Sequence, residues 1–134
     1  DEAKRRRALE LGADEALEPG ARLPHRVDVV IETVGAATWS HSVKSLRPGG
    51  TLVISGVTSG DRPSHAELTR IFFLELKVVG SKMGAKDELE DLLSFCAVAG
   101  VRPVIDTTLP LDRAREGFER MAVGGQFGKI VLTV

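Results

Sequence analysis

The stretch that decides the fold is Val27-Asp28-Val29-Val30-Ile31-Glu32-Thr33-Val34, an almost continuous apolar and β-branched run that ends at Gly35. Runs of this composition are typical of strands covered on both faces, as in a parallel sheet between helices. Residues 51–56 repeat the pattern, and the short segment from Leu76 to Gly80 repeats it again. We therefore predict three buried strands.

Helical spacing fills the intervals between these strands. Trp39, Val43 and Leu46 recur at i, i+4 and i+7, which places them on one helix face. Further helices are predicted over residues 1–11, 64–74 and 87–99 and from residue 112, and further strands near 15–17 and over 101–108 and 129–134. This alternation predicts an α/β fold with a Rossmann-like, mostly parallel sheet and flanking helices.

Composition excludes several classes of protein. The chain has 134 residues, a net charge of -1 and one cysteine, Cys96. The near-neutral charge disfavours nucleic-acid binding, and no apolar run is long enough to span a membrane. A single cysteine excludes an intramolecular disulfide and favours a reducing compartment. We therefore expect a soluble, cytoplasmic domain with neither nucleic-acid nor membrane partners.

Glycine-containing turns follow the three central strands. The first is Thr33-Val34-Gly35, the second Ser55-Gly56-Val57 and the third Gly80-Ser81-Lys82-Met83-Gly84. Ligands of open α/β sheets bind at the carboxyl ends of the strands, and glycine lets a ligand approach the backbone closely. The turns therefore predict a shared ligand site, although the same glycines are also explained by tight turns alone.

No side chain is predicted to be catalytic or to bind a metal. The three histidines are scattered, without the spacing of metal ligands. Asp28 and Glu32, four apart on a strand, are expected to point to the same side, which is weak support for acid–base chemistry. The basic run from Lys4 to Arg7 is explained by a solvated helix face or by a phosphate contact.

Several blocks of sequence together resemble one known family. They are Glu10-Leu11-Gly12-Ala13-Asp14, the run from Val27 to Gly35, Leu46-Arg47-Pro48-Gly49-Gly50-Thr51-Leu52-Val53, Val79-Gly80-Ser81 and Gly128-Lys129-Ile130-Val131-Leu132. In order and spacing they resemble medium-chain dehydrogenases/reductases, which include zinc-type alcohol dehydrogenases and quinone oxidoreductases. The resemblance implies a Rossmann domain that binds NAD(H) or NADP(H) for hydride transfer with an alcohol, carbonyl, quinone or enone substrate.

The resemblance also implies which residues lie near the cofactor. Lys4 would approach the adenosine ribose or its 2′-phosphate, and with Arg5 it slightly favours NADP over NAD. Lys129 would lie near the cofactor phosphates. The strand exits would supply the other contacts, with Val34 and Gly35 on the adenine side and Ser55, Gly56, Val57, Ser81, Lys82 and Met83 near the nicotinamide ribose and carboxamide.

Parts of the family pattern are missing from this sequence. The glycine-rich turn, the first two strands of the sheet and the catalytic domain with any zinc ligands are absent. We therefore expect residues 1–100 to form a partial dinucleotide-binding domain and residues 101–134 a strand–helix–strand segment returning toward the absent catalytic domain. The chain alone is expected to show no turnover.

The missing strands would leave edges of the sheet unpaired. The strand near 15–17 would have no neighbour and one edge of the 27–34 strand would be unpaired. A homodimer would form through the edge strand from Leu76 to Gly80.

Two other classes of function remain open. The Leu-x-Pro-Gly-Gly turn at residues 46–50 is also common in methyltransferases that use S-adenosylmethionine. Those domains usually end in an antiparallel hairpin, whereas a helix is predicted after residue 84. The other alternative is a non-enzymatic Rossmann-like module for dimerisation or regulation.

Overall fold

The structure is a computed structural model that describes residues 1–134. It divides into two compact units, Asp1–Met83 and Gly84–Val134. The predicted division into residues 1–100 and 101–134 concerns which part meets a catalytic domain, and it stays a prediction.

The first unit contains a three-stranded parallel sheet with the strand order β1-β2-β3. Its elements in chain order are α1 (Glu2–Glu10), β1 (Val27–Glu32), α2 (Trp39–Ser45), β2 (Leu46–Ile54), α3 (Leu68–Phe73) and β3 (Lys77–Gly80). Both pairings are parallel because a helical connection returns the chain to the same end of the sheet each time. The α/β class with a parallel sheet and flanking helices is thereby confirmed.

The core of this unit lies on one face of the sheet. Val43, Leu46, Leu52 and Leu76 are buried, and partly buried residues of α2 and α3, including Trp39 and Ile71, pack against them. The prediction that β1 is covered on both faces is wrong, because Val29 and Ile31 are 53% and 62% exposed. Their side chains alternate with the buried ones along the strand, so they occupy the face opposite α2 and α3.

The prediction of a strand near residues 15–17 is also wrong, since Glu15, Ala16 and Leu17 lie in irregular backbone. A strand is stable only when its backbone groups pair with a neighbour, and β1 is an edge strand that pairs only with β2. The expected unpaired edge of β1 is therefore present.

Two element boundaries differ from the predicted ones for local reasons. The helix predicted from residue 64 begins at Leu68, because Glu67 has a left-handed backbone (φ 58°) that interrupts a helix. The strand predicted from residue 51 begins at Leu46, which pairs with Val27 ahead of an irregularity in the register.

The second unit pairs two parallel strands beside a helix. Its elements are α4 (Lys86–Ala99), β4 (Ile105–Pro110), a 3-10 turn (Leu111–Arg113), α5 (Ala114–Ala122) and β5 (Lys129–Thr133). α4 ends at Gly100, which has the left-handed conformation. At its start the Glu88 carboxylate accepts the backbone N–H of Ala85 at 2.7 Å.

Asp106 joins three parts of the second unit. Its carboxylate accepts two hydrogen bonds from the Arg120 guanidinium, at 2.7 and 3.1 Å, and one from the backbone N–H of Phe127, at 2.9 Å. These contacts tie β4 to α5 and to the loop before β5.

None of the five helices has both the length and the apolar character that crossing a membrane requires.

We predict that Leu46→Ala lowers the free energy of unfolding of the first unit by about 3 kcal/mol, because it leaves a cavity at a fully buried position. Chemical denaturation followed by the fluorescence of Trp39, the single tryptophan, measures the change. Leu68→Ala is the matched control, since Leu68 is 71% exposed, and it should change the value by less than about 0.5 kcal/mol. Equal losses in the two variants would contradict the one-faced core.

Candidate functional site

The carboxyl ends of the three parallel strands lie side by side. Glu32 of β1 is in register with Ile54 of β2, which is in register with Gly80 of β3. The ladder continues one step past the strand ends. The Ser55 N–H donates to the Glu32 carbonyl at 2.9 Å, and the Ser81 N–H donates to the Ile54 carbonyl at 2.8 Å. The three predicted exits therefore leave the sheet at one edge.

The first two exits pack directly against each other. A Cβ on Gly35 would lie 2.5 Å from the Gly60 carbonyl oxygen, and one on Gly56 would lie 2.8 Å from the Thr33 carbonyl oxygen. Both distances are too short for a side chain, so glycine is required at these positions. The close approach that these two glycines permit is between the two turns themselves, and any ligand would lie beside the joined turns.

Ser59 fastens the second turn to the first. Its N–H and its hydroxyl both donate to the Val34 carbonyl, at 2.7 and 2.8 Å, and the hydroxyl accepts the N–H of Ala37 at 3.0 Å. The Ala36 N–H also donates to the Gly60 carbonyl at 2.9 Å. We call residues 33–38 and 55–60, joined in this way, the double turn.

The carboxylate of Glu32 organises the double turn from inside. Glu32 is only 3% exposed. Its Oε1 accepts the backbone N–H groups of Val34 and Gly35, at 2.7 and 2.9 Å, and the Thr38 hydroxyl at 2.8 Å. Its Oε2 accepts the Ser42 hydroxyl of α2. One side chain therefore sets the path of the backbone from the end of β1 into α2.

These hydrogen bonds favour the charged form of Glu32. Burial by itself would raise the pKa of the carboxyl, but the hydrogen bonds from Ser42, Gly35, Thr38 and Val34 outweigh that effect and hold the pKa below its ordinary value. The site therefore contains a buried negative charge that is fully engaged with donors of its own chain.

The functional importance of Glu32 was missed in the sequence, where it was grouped with Asp28. The two carboxylates differ in the structure. Asp28 is exposed and forms an ion pair with Arg47, whereas Glu32 is buried. The available signal was an acidic residue at the end of an apolar run, followed by the small and hydroxyl side chains of Gly35, Thr38 and Ser42. No feature of the sequence around Ser59 indicated that its side chain would join the two turns.

Two cavities adjoin the double turn, and Glu32 lines both. A cavity of 220 Å³ lies between the turns and is lined by Gly35, Trp39 and Val57 among others. A groove of 540 Å³ runs along the free edge of β1, where residues 14–25 face Ile31 and Val34. Cavities of several hundred Å³ are of the size that holds small organic ligands and cofactors.

The remaining predicted site residues lie in other places. Ser81, Lys82 and Met83 follow β3 at the same edge of the sheet and are exposed. Lys4 lies in α1, where its backbone N–H donates to the Asp1 carboxylate at 2.8 Å. Lys129 begins β5 in the second unit, where its N–H donates to the Val104 carbonyl at 2.8 Å. The structure thus brings Val34 and Gly35 together with Ser55, Gly56 and Val57.

The chain offers no metal centre. No group of three or more His, Cys, Asp and Glu side chains is arranged so that it could hold a metal ion. Cys96, a soft ligand, is a free thiol in α4. These residues do not fit a zinc site, and no chemical step is assigned to a metal bound by this chain.

Comparison with known proteins places the chain in a family context. A family model described as zinc-binding dehydrogenase matches residues 11–132. An acryloyl-coenzyme A reductase from Sulfurisphaera tokodaii is 32% identical over 106 residues, which cover 79% of this chain and 32% of that protein. An alcohol dehydrogenase from Geobacillus stearothermophilus is 31% identical over 138 residues, which cover 96% of this chain and 40% of that protein.

Solved structures agree with these relatives. The crystal structure of an NAD-dependent alcohol dehydrogenase superposes with a TM-score of 0.84 and 30% identity, covering all of this chain and 42% of that one. A 2-octenoyl-CoA carboxylase reductase in complex with NADP and 2-octenoyl-CoA gives a TM-score of 0.74 at 25% identity, covering 95% of this chain and 27% of that one. The chain spans about a third to two fifths of the length of the curated relatives described above.

We predict that Glu32→Gln lowers the free energy of unfolding of the first unit by about 2 kcal/mol near neutral pH. The amide places an N–H₂ group where an acceptor is needed, so that buried donors lose their partner. Because the pKa of Glu32 is lower in the folded than in the unfolded chain, its stabilisation is fully present above the unfolded pKa and is lost as the pH falls through the folded pKa.

Denaturation of both proteins between about pH 7 and pH 3 measures this dependence. The wild type should lose stability toward the acid end of that window, and the loss should be smaller in Glu32→Gln. Glu15→Gln is the control, because Glu15 is exposed and has no hydrogen-bond partner, and it should behave like the wild type. Identical acid slopes in the wild type and Glu32→Gln would disprove the role given to the carboxylate.

Proposed function

Because the chain belongs to the zinc-binding dehydrogenase family, we propose that it is the nicotinamide-dinucleotide-binding portion of an oxidoreductase. The sequence resemblance to medium-chain dehydrogenases is confirmed by that membership. The observation that carries the proposal is the double turn. Two strand exits are joined at the carboxyl edge of a parallel sheet, beside cavities of 220 and 540 Å³. This edge is where open α/β sheets bind nucleotides.

The bound cofactor would supply hydride transfer between its nicotinamide ring and an alcohol, carbonyl, quinone or enone substrate. The similarity to alcohol dehydrogenases and acryloyl-coenzyme A reductases supports the alcohol, carbonyl and enone members of this range. The residues of this chain would bind and orient the cofactor. Val34 and Gly35 would face the adenine side, and Ser55, Gly56, Val57, Ser81, Lys82 and Met83 would lie near the nicotinamide ribose and carboxamide.

Charge at the N-terminal helix bears on the choice between NADP and NAD. Arg5, Arg6 and Arg7 form ion pairs with Glu18, Glu2 and Glu10, at 3.3, 3.1 and 2.7 Å. The proposed slight preference for NADP rests on Lys4 together with Arg5, whose cationic groups would interact with the 2′-phosphate. Lys129 would place a positive charge near the cofactor phosphates.

The proposal divides the work of the whole enzyme between this chain and other residues. The Glu32 carboxylate beside the double turn is not a free acid or base, because it is committed to four donors of its own chain. We therefore propose that the chain alone shows no turnover, that residues 101–134 return toward a catalytic domain that would hold any zinc, and that the protein is cytoplasmic. The family match favours this function over a methyltransferase that uses S-adenosylmethionine.

Nuclear magnetic resonance of the ¹⁵N-labelled chain tests the proposal, because it reports weak binding residue by residue. NADPH, NADH and S-adenosylmethionine are added in separate titrations to about 10 mM, which detects dissociation constants near 1 mM. We expect NADPH and NADH to shift the amides of Val34, Gly35, Gly56 and Val57 along saturable curves. The proposal fails if S-adenosylmethionine alone shifts them, or if the dinucleotides shift only amides remote from the double turn.

Lys4→Gln tests the selectivity within the same titrations. It should weaken the binding of NADPH about tenfold and leave that of NADH unchanged, because only NADPH carries the 2′-phosphate. Lys86→Gln removes the same charge from α4, where Lys86 is paired with Glu90, and serves as the control. Equal weakening by the two variants, or equal loss of NADH binding, would reject the role of Lys4.

The proposed homodimer through β3 makes a separate prediction. β3 is an edge strand in which all four residues are exposed, and Val79 is 47% exposed. Unpaired edges of this kind readily pair with a second copy, and a lysine blocks such pairing. We expect sedimentation equilibrium to show a dimer that Val79→Lys weakens about tenfold. Val98→Lys, at a 91% exposed site on α4, should leave it intact. A wild-type monomer at all concentrations would contradict the dimer.

A further inference from the structure

A cationic cavity lies at the end of the sheet opposite the double turn. It has a volume of 470 Å³ and is lined by Arg22, His25, Arg26, His41, Lys44 and Arg70 among others. Arg26 immediately precedes β1, and Lys44 lies in the last turn of α2 before β2 begins. The cavity is therefore at the amino ends of these strands, and none of its lining residues belongs to the double turn.

The lining of this cavity is unusual in its charge. It contains three arginines and one lysine but no aspartate or glutamate, in a chain whose net charge is -1. Nine Lys and Arg side chains of the chain form ion pairs with carboxylates. Among the four cations at the cavity only Lys44 does so, with Glu67 at 3.1 Å. Arg22, Arg26 and Arg70 therefore bring three positive charges that no carboxylate neutralises.

Arg70 is held at the cavity by one hydrogen bond, and one of its N–H groups has no acceptor. One of its terminal nitrogens donates to the Lys44 carbonyl at 3.2 Å, which holds the guanidinium in place at the end of α2. Its Nε is buried from solvent and has no hydrogen-bond partner. Buried N–H groups are nearly always paired, so the hydrogen-bonding capacity of this guanidinium is incompletely used within the chain.

We infer that this cavity binds the phosphate group of a small molecule. Guanidinium groups are planar and present several N–H donors that match the oxygens of phosphate, so three arginines facing one space can surround such an anion. A phosphate oxygen would accept from the terminal N–H groups of Arg70 that are not bonded to Lys44, and Arg22 and Arg26 would approach from the segment before β1. The cavity adjoins the 540 Å³ groove, with which it shares part of the 20–25 segment and His41, but the three arginines and the double turn lie at opposite ends of the strands.

Titration of the ¹⁵N-labelled chain with pyrophosphate at constant ionic strength tests the inference, with sodium chloride as the ionic control. We expect saturable shifts of the Nε–H signal of Arg70 and of the backbone amides of residues 22–26. Inorganic phosphate and glycerol phosphate, added in separate titrations, distinguish a free phosphate ion from a phosphate ester. Shifts that are linear with concentration, or that chloride reproduces, would overturn the inference.

Arg22→Gln with Arg26→Gln tests the residues without altering the core, since both side chains are exposed. This double variant should weaken pyrophosphate binding about tenfold. Arg102→Gln with Arg115→Gln removes the same charge from the second unit and should change it less than about twofold. If both double variants weakened pyrophosphate binding equally, the effect would be explained by net charge alone, and the proposed site would be rejected. The Arg22/Arg26 variant should keep the NADPH response of the double turn, so failure at one site leaves the other testable.

Discussion

The buried carboxylate of Glu32 is the constraint on which the candidate site depends. An ionised group inside a protein is stable only when donors surround it, and Glu32 meets that need with two backbone N–H groups and two hydroxyls. Satisfying the charge forces the chain to turn at Gly35 and enter α2. The second turn can then pack on the first through Ser59, so the electrostatics of one residue shape both strand exits.

The hydrophobic core supports this arrangement from one side only. α2 and α3 cover one face of the sheet, while Val29 and Ile31 on the other face are exposed and the 540 Å³ groove lies along the free edge of β1. An apolar face and an unpaired edge are stable in larger assemblies when further chain covers them. The chain covers about a third to two fifths of the length of these relatives.

The two ends of the sheet offer different chemistry. At the carboxyl ends the double turn presents backbone groups and small side chains beside a carboxylate whose oxygens are already hydrogen-bonded within the chain, which suits the rings and riboses of a dinucleotide. At the amino ends Arg22, Arg26 and Arg70 present charge without an internal partner, which suits an anion. The parallel topology produces this separation, because each helix returns the chain to the same end before the next strand begins.

Patterns local in the chain were enough to predict the α/β class, the three central strands, the glycine exits and the family, because alternation and turn residues depend on near neighbours. Local patterns could not show that Glu15–Leu17 forms no strand, that Val29 and Ile31 are exposed, or that Glu32 rather than Asp28 is buried. Those outcomes depend on which distant segments supply pairing, cover and hydrogen bonds. The roles of Ser59 and Arg70 could not be predicted from the sequence, because the groups that surround their side chains come from segments that are remote in the chain.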